Sequence, residues 1–203
     1  MIEIEKISLE KIQAGEFENE LPEFYDLKNV FENNLWHHET TFEHTLSVLS
    51  HYNAFLDDYC PDYLNDKLEK NSKKELLKIA ILLHDISKKE TIVTNEEGET
   101  SFPGHDIKGG IKARGILDRF NITDKEKEYI VSIITNHDKP HVILDSRKNC
   151  SQKLKELEND MKDIYKETLI LALVDTMGSK LKENDEEEYN FRINKFKDAL
   201  GVK

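Results

Sequence analysis

Ile79-Ala80-Ile81-Leu82-Leu83-His84-Asp85 is the stretch that decides the fold. Five consecutive apolar residues leave no polar face, so a helix carrying them is buried on every side. Placing an ionised carboxylate and an imidazole at its end costs roughly several kcal/mol unless something compensates. A metal ion is the simplest compensation, because it takes a deprotonated carboxylate and a neutral imidazole as ligands. More groups of that kind are spread along the chain: His44 in a helical stretch upstream, and His105, His137 and Asp175 downstream. Asp175 closes a second apolar run, Leu169-Ile170-Leu171-Ala172-Leu173-Val174, so its carboxylate also needs a cation partner or a shifted pKa. A buried ion pair with a lysine or arginine is the alternative for Asp175, and a hydrogen bond to a carbonyl is the alternative for His44.

Helical patterns surround these runs. Residues 23–33 place Phe24, Leu27, Val30 and Phe31 at helical spacing. Thr41 is read as the N-cap of a helix reaching about Tyr59, with Pro61 marking its end. Ser72, with Glu75 three residues on, has capping-box spacing and opens a helix over 72–86. Between Glu90 and Pro103 the pattern changes: Thr91-Ile92-Val93-Thr94 is β-like, Asn95 to Gly98 turn-like, and Thr100 to Phe102 a short return. A small hairpin or flap near residues 90–103 is expected. Helices resume at about 104–120 and 124–137, residues 138–150 with Pro140 read as a loop, and further helices follow near 151–160, 161–182 and 187–199. The predicted fold class is all-α, a single-domain helical bundle over 21–203 behind an acidic N-terminal arm at 1–20.

The 203 residues carry a formal charge of -12, which argues against an extended nucleic-acid surface. A small phosphorylated substrate stays open, since a bound metal reverses the local potential. Cys60 and Cys150 are too few for a disulfide framework and fit a reducing compartment. Met1-Ile2-Glu3-Ile4-Glu5 lacks the basic and apolar regions of a signal peptide, and no apolar run approaches the ~20 residues of a membrane span. A cytoplasmic protein with no membrane partner is expected. Phosphate-binding glycine loops, nucleophile elbows and paired cysteines are absent from the sequence.

The local motifs resemble one family. Phe42-Glu43-His44-Thr45-Leu46 is similar to the first-histidine motif in the HD domains of CCA-adding tRNA nucleotidyltransferases. Leu82-Leu83-His84-Asp85-Ile86-Ser87-Lys88 resembles the LLHDIGK segment of HD domains. Phe102-Pro103-Gly104-His105-Asp106 with Gly109-Gly110 is similar to an F-x-G-H-E-x-x-G stretch, and Asn136-His137 and Leu173-Val174-Asp175 fall where later ligands belong. Over roughly 37–181 the chain thus resembles the HD-domain superfamily of metal-dependent phosphohydrolases, with Ser87 for the usual glycine and Asp106 for the usual glutamate.

That resemblance implies a bundle of the HD-domain type, with His44, His84, Asp85 and Asp175 around one ion. It implies His105, His137 and a shared Asp85 around a second. Two imidazoles and two carboxylates suit a divalent transition metal (Mn, Fe, Co, Ni or Zn), one or two per chain, better than Mg. Neighbours on a helix point about 100° apart, so His84 and Asp85 can share an ion only near the helix end. In a one-metal site, His105 and His137 would instead bind phosphate or act as general acid. Lys88 is implied to neutralise substrate phosphate, helped by Lys108 beside Gly109 and Gly110, which would admit a phosphate to the backbone. His37 and His38 are similar to a His-His pair that precedes the first motif and are assigned to the substrate rim. His51 is read as a supporting or packing residue, and His141, in the expected loop, receives no role.

The implied reaction is hydrolysis of a phosphomonoester or phosphodiester by a metal-bound hydroxide, with Asp85, Lys88, His105 and His137 as catalytic residues. Nucleotides and 2′,3′-cyclic phosphates are the implied substrates. No Gly-Ser followed by an Asp-x-Asp pair occurs, so CCA addition is not expected. Two alternatives keep the same ligands: a di-iron oxygenase of the HD superfamily similar to inositol oxygenase, and a metal- or nucleotide-binding sensor without turnover.

Overall fold

The computed structural model describes residues 1–202. In chain order its helices are α1 (Leu9–Gln13), α2 (Pro22–Tyr25), α3 (Thr41–Asp58), α4 (Lys73–Leu83), α5 (Lys88–Thr91), α6 (His105–Leu117), α7 (Asp124–Asn136), α8 (Lys139–Asp145), α9 (Cys150–Met161), α10 (Tyr165–Gly178), α11 (Leu181–Asn184) and α12 (Glu186–Leu200). Between α5 and α6 runs a two-stranded antiparallel hairpin, β1 (Val93–Thr94) and β2 (Thr100–Ser101), with Val93 opposite Ser101. The architecture is all-α. Among the described residues no helix is long and apolar enough to cross a membrane.

Two helices organise the rest. In α4 every residue from Ile79 to Leu83 is buried, and in α10 every residue from Leu169 to Val174. Each such Leu or Ile contributes roughly 1.5–3 kcal/mol by leaving water. α10 packs between α3 and α12, and α4 between α3 and α7, while α6 covers α7. Close approach is built into two of these contacts. A Cβ on Gly178 would lie 2.8 Å from Val48 Cγ2 and 2.9 Å from its amide nitrogen, so glycine there lets α10 sit directly on α3. Gly109 and Gly110 do the same for α6: a Cβ would meet His84 O at 3.3 Å and Thr135 Oγ1 at 2.0 Å. These glycines are buried packing positions and do not offer backbone to a phosphate, which corrects the sequence reading.

Local signals fixed several boundaries. Capping boxes open α4 at Ser72/Glu75 and α7 at Thr123/Glu126, and α3 is capped by Thr40 with Glu43, one residue before the expected Thr41. Two regions differ from the sequence reading. The helix expected over 23–33 stops at Tyr25, continues as a 3-10 turn at Asp26–Asn29, and becomes extended. There Phe31 bridges Thr40 and Val30 O accepts the Thr41 amide, contacts that no local periodicity announces. The 138–150 loop contains α8, because Pro140 occupies the first turn of a helix, where its missing N–H goes unneeded. The N-terminal arm packs against the bundle, with Ile2, Ile4, Ile7 and Ile12 all in the core.

Candidate metal centre

The C-terminal ends of α4, α7 and α10 meet at one place. His84 caps α4, His137 caps α7, and Asp175 lies in the last turn of α10. Each end carries partial negative charge from unpaired carbonyls, so three converging ends favour a cation. His44 comes from the first turn of α3 and His105 from the start of α6. Above them opens a cleft of about 500 Å³, walled by Trp36, His37, the segment Thr100–Gly104, Asp138 and His141.

Asp85, 2% exposed, lies between two sets of histidines. Its Oδ2 is 3.0 Å from His84 Nε2 and 3.8 Å from His44 Nε2. Its Oδ1 is 3.4 Å from His105 Nε2 and 3.9 Å from His137 Nε2. Asp175 Oδ1 completes the first set at 2.8 Å from His44 Nε2 and 3.6 Å from His84 Nε2. In both His44–His84–Asp85 and Asp85–His105–His137, ligand atoms lie within 4.8 Å of one another. Glu39 backs the outer side of His44, with Oε1 3.8 Å from its Nδ1 and 2.9 Å from His37 Nδ1.

Hydrogen bonding fixes which nitrogens are bare. His84 Nδ1 donates to Ile81 O (2.7 Å), His137 Nδ1 to Ile134 O (2.7 Å) and His105 Nδ1 to Phe102 O (2.9 Å). A carbonyl only accepts, so each Nδ1 carries the proton and each Nε2 presents a lone pair. His105 Nε2 and His137 Nε2 then face each other at 3.1 Å. His84 Nε2 is buried and, despite its closeness to Asp85, makes no hydrogen bond. Two opposed lone pairs and an orphaned nitrogen beside a carboxylate are what a divalent ion satisfies, so the residues fit such a group.

The electrostatics agree. Burial opposes charge on His84, but the Asp85 and Asp175 carboxylates beside it outweigh that and raise its pKa, so they favour positive charge at this position. Burial, with His105 and His84 nearby, pushes His137 down to about 4 and keeps its ring neutral. Burial disfavours the ionised forms of Asp85 and Asp175. His84 and Lys88 nevertheless hold Asp85 well below the usual range, and His141, His44 and His84 do the same for Asp175.

The remaining predicted residues fall in three places. Lys88 is buried, and its ammonium is already engaged by Glu32 Oε2 and Asp85 Oδ2, both at 2.9 Å. It borders the cleft but has no idle charge aimed at a substrate. His37 is buried and lines the cleft. His38 and Lys108 are exposed and form no part of the cleft wall, and His51, half-buried, does not line it either. Sequence reasoning missed Glu32, which is fully buried and reaches Lys88 across 56 residues with no local signal. It also missed His141, whose Nε2 stands 3.2 Å from Asp175 Oδ2. The four-residue spacing from His137 was the available clue, hidden by reading Pro140 as a loop.

Residues 41–177 match the sequence model of the HD domain. One relative is the bifunctional uridylyltransferase/uridylyl-removing enzyme of Cereibacter sphaeroides, 28% identical over 121 residues, or 58% of this chain. The chain spans only 12% of that protein's length.

Proposed function

The chain belongs to the HD-domain family, and on that premise we propose that it is a phosphohydrolase using one or two divalent transition metals. Its proposed substrates are small phosphate esters of nucleotides, either phosphomonoesters or phosphodiesters including 2′,3′-cyclic phosphates. One observation carries the reading: the Nε2 lone pairs of His105 and His137 oppose each other at 3.1 Å beside an oxygen of Asp85, whose other oxygen serves His44 and His84. That arrangement supports two ion positions joined by Asp85, with Asp175 completing the first. Divalent ions held there would supply a nucleophile at neutral pH and neutralise charge developing on the phosphoryl oxygens.

The chain's own groups support the rest of the reaction. Lys88, fixed by Glu32, holds the Asp85 carboxylate ionised and in one orientation. His37, Trp36 and the Thr100–Gly104 segment at the cleft wall would enclose the ester. The likeness of the His44 and His105 motifs to CCA-adding enzymes supports 2′,3′-cyclic or monoester substrates. Uridylyl removal in the relative's name supports a nucleotidyl ester.

The test is elemental analysis of protein purified without chelator, beside hydrolysis of bis-p-nitrophenyl phosphate and a 2′,3′-cyclic nucleotide. One or two transition metals per chain, lost together with activity in Asp85→Ala, are expected. A wild type without bound metal, or a variant that retains full activity, would sink the reading. Iron accompanied by oxygen uptake and no hydrolysis would replace it with the oxygenase.

A further inference from the structure

His141 lines the cleft from the first turn of α8 and is only 7% exposed, yet neither ring nitrogen makes a well-aligned hydrogen bond. Its Nε2 stands 3.2 Å from Asp175 Oδ2. The two oxygens of Asp175 are therefore divided: Oδ1 faces His44 and His84, and Oδ2 faces His141. The ring is held edge-on against Trp36 (5.7 Å between centroids) and Phe196 (5.6 Å). Its carbonyl accepts from Arg192 Nη1 at 3.4 Å. Arg192, buried on α12, lies over the Trp36 ring at 4.4 Å and is clamped by Glu188 and Asp145. A helix beyond the family-matched residues thus reaches His141 through the Arg192 guanidinium and the Phe196 ring.

We propose that His141 is a positioning residue, donating from Nε2 to the outer oxygen of Asp175 so that Oδ1 is presented to the ion shared with His44 and His84, and that Arg192 holds His141 for this task. The inference rests on the metal-centre reading above. A carboxylate's terminal torsion is broad, so a ligand anchored through one oxygen can swing. A donor on the second oxygen removes that freedom. Losing such an outer partner typically weakens metal binding roughly 10–100-fold. Glutamine at 141 can offer an amide N–H in place of the ring; alanine cannot.

The experiment titrates chelator-stripped wild type, His141→Ala and His141→Gln with Mn²⁺ by calorimetry. Fluorescence of Trp36, the chain's single tryptophan, is followed in parallel because its ring touches His141. The alanine variant is expected to bind about 10–100-fold more weakly at unchanged stoichiometry, with much of the loss recovered by glutamine and a changed Trp36 response. Equal affinity in wild type and His141→Ala overturns the proposal, as does a glutamine variant no better than alanine. Should the alanine variant fail to fold, Arg192→Lys keeps His141 but removes the planar hold. Several-fold weaker Mn²⁺ binding is expected there, and unchanged binding overturns the role of Arg192. A wild type that binds no Mn²⁺ would overturn the metal-centre reading itself, a result distinct from a bound ion indifferent to residue 141.

Discussion

Glu126 and Asp85 are both buried carboxylates, yet their surroundings are opposite in kind. Glu126 ties the 66–72 loop to the start of α7 and accepts from the Lys70 and Asn71 amides (2.7 and 2.6 Å), Asn71 Nδ2 (2.8 Å) and the Thr123 amide (3.1 Å). Its acceptor capacity is filled by groups the chain itself supplies. Asp85 instead faces ring nitrogens, one orphaned and two opposed to each other, with Lys88 as the one cation bonded to it. A saturated carboxylate stabilises a fold, whereas an arrangement of unsatisfied acceptors around a carboxylate is a request for a cation. The same logic places Asp175 with Asp85.

Substituting Asp85 by asparagine tests that contrast most severely. The side chain keeps its size but loses the charge shared between both ligand sets. If ions at this place contribute several kcal/mol to phosphoryl transfer, activity should fall by about a thousandfold or more, with metal content falling in parallel. Asp85→Asn protein with wild-type metal content and turnover would show that the two clusters do not differ as argued.

Glu126→Gln should do the reverse. Three main-chain amides would lose a charged acceptor in a buried place, costing about 2–3 kcal/mol of stability while metal content stays unchanged. The pH dependence sharpens this. Burial alone would raise the Glu126 pKa, but the donors from Asn71, Thr123 and Lys70 hold it below its ordinary value. A carboxylate whose folded pKa is depressed stabilises the protein fully above the unfolded value, about 4.3, and that stability is lost as pH falls through the folded value. Denaturant unfolding from pH 6 downward should therefore show a steeper acid loss in wild type than in Glu126→Gln. Parallel curves would remove Glu126 from the stability account.

Gly178→Ala probes the link between packing and site. The added Cβ must displace Val48, and overpacking of this kind costs about 1–3 kcal/mol. Asp175 lies one turn before Gly178 and His44 one turn before Val48, so a separation of α10 from α3 also parts these two groups. A lower unfolding temperature with weaker Mn²⁺ binding is expected. Destabilisation with unaltered binding would mean the ligands tolerate the shift.

What was legible in the sequence was local. The apolar runs ending in His84-Asp85 and Asp175, and the capping box at Ser72, each lie within a few residues, where spacing reports conformation. Contacts across the chain were not legible. Phe31 pairs with Thr40 at the expense of the predicted helix, and Glu32 meets Lys88 only because that extended segment crosses the bundle. Lys88 illustrates the cost of reading a side chain without its partner: one turn from His84 it resembles a free phosphate binder, but a buried ammonium between two carboxylates is a structural counter-charge. His141 was lost for the opposite reason, since Pro140 suggested a loop where it begins a helix.

The smallest expected effect concerns where positive charge for the substrate comes from. Lys108 is exposed and outside the cleft wall, and Lys88 is held by Glu32 and Asp85. If the ions supply the neutralising charge, Lys108→Ala should change kcat/KM on a cyclic nucleotide by less than about twofold, within ordinary surface substitution effects of ~0.5 kcal/mol. Its salt dependence should match wild type, because a side chain that never approaches the phosphate adds no screened attraction. A tenfold rise in KM that disappears at high salt would instead bring α6 over the cleft during binding and restore Lys108 as a substrate contact. That outcome would also weaken the contrast drawn here, since part of the cation requirement would then be met by the chain itself.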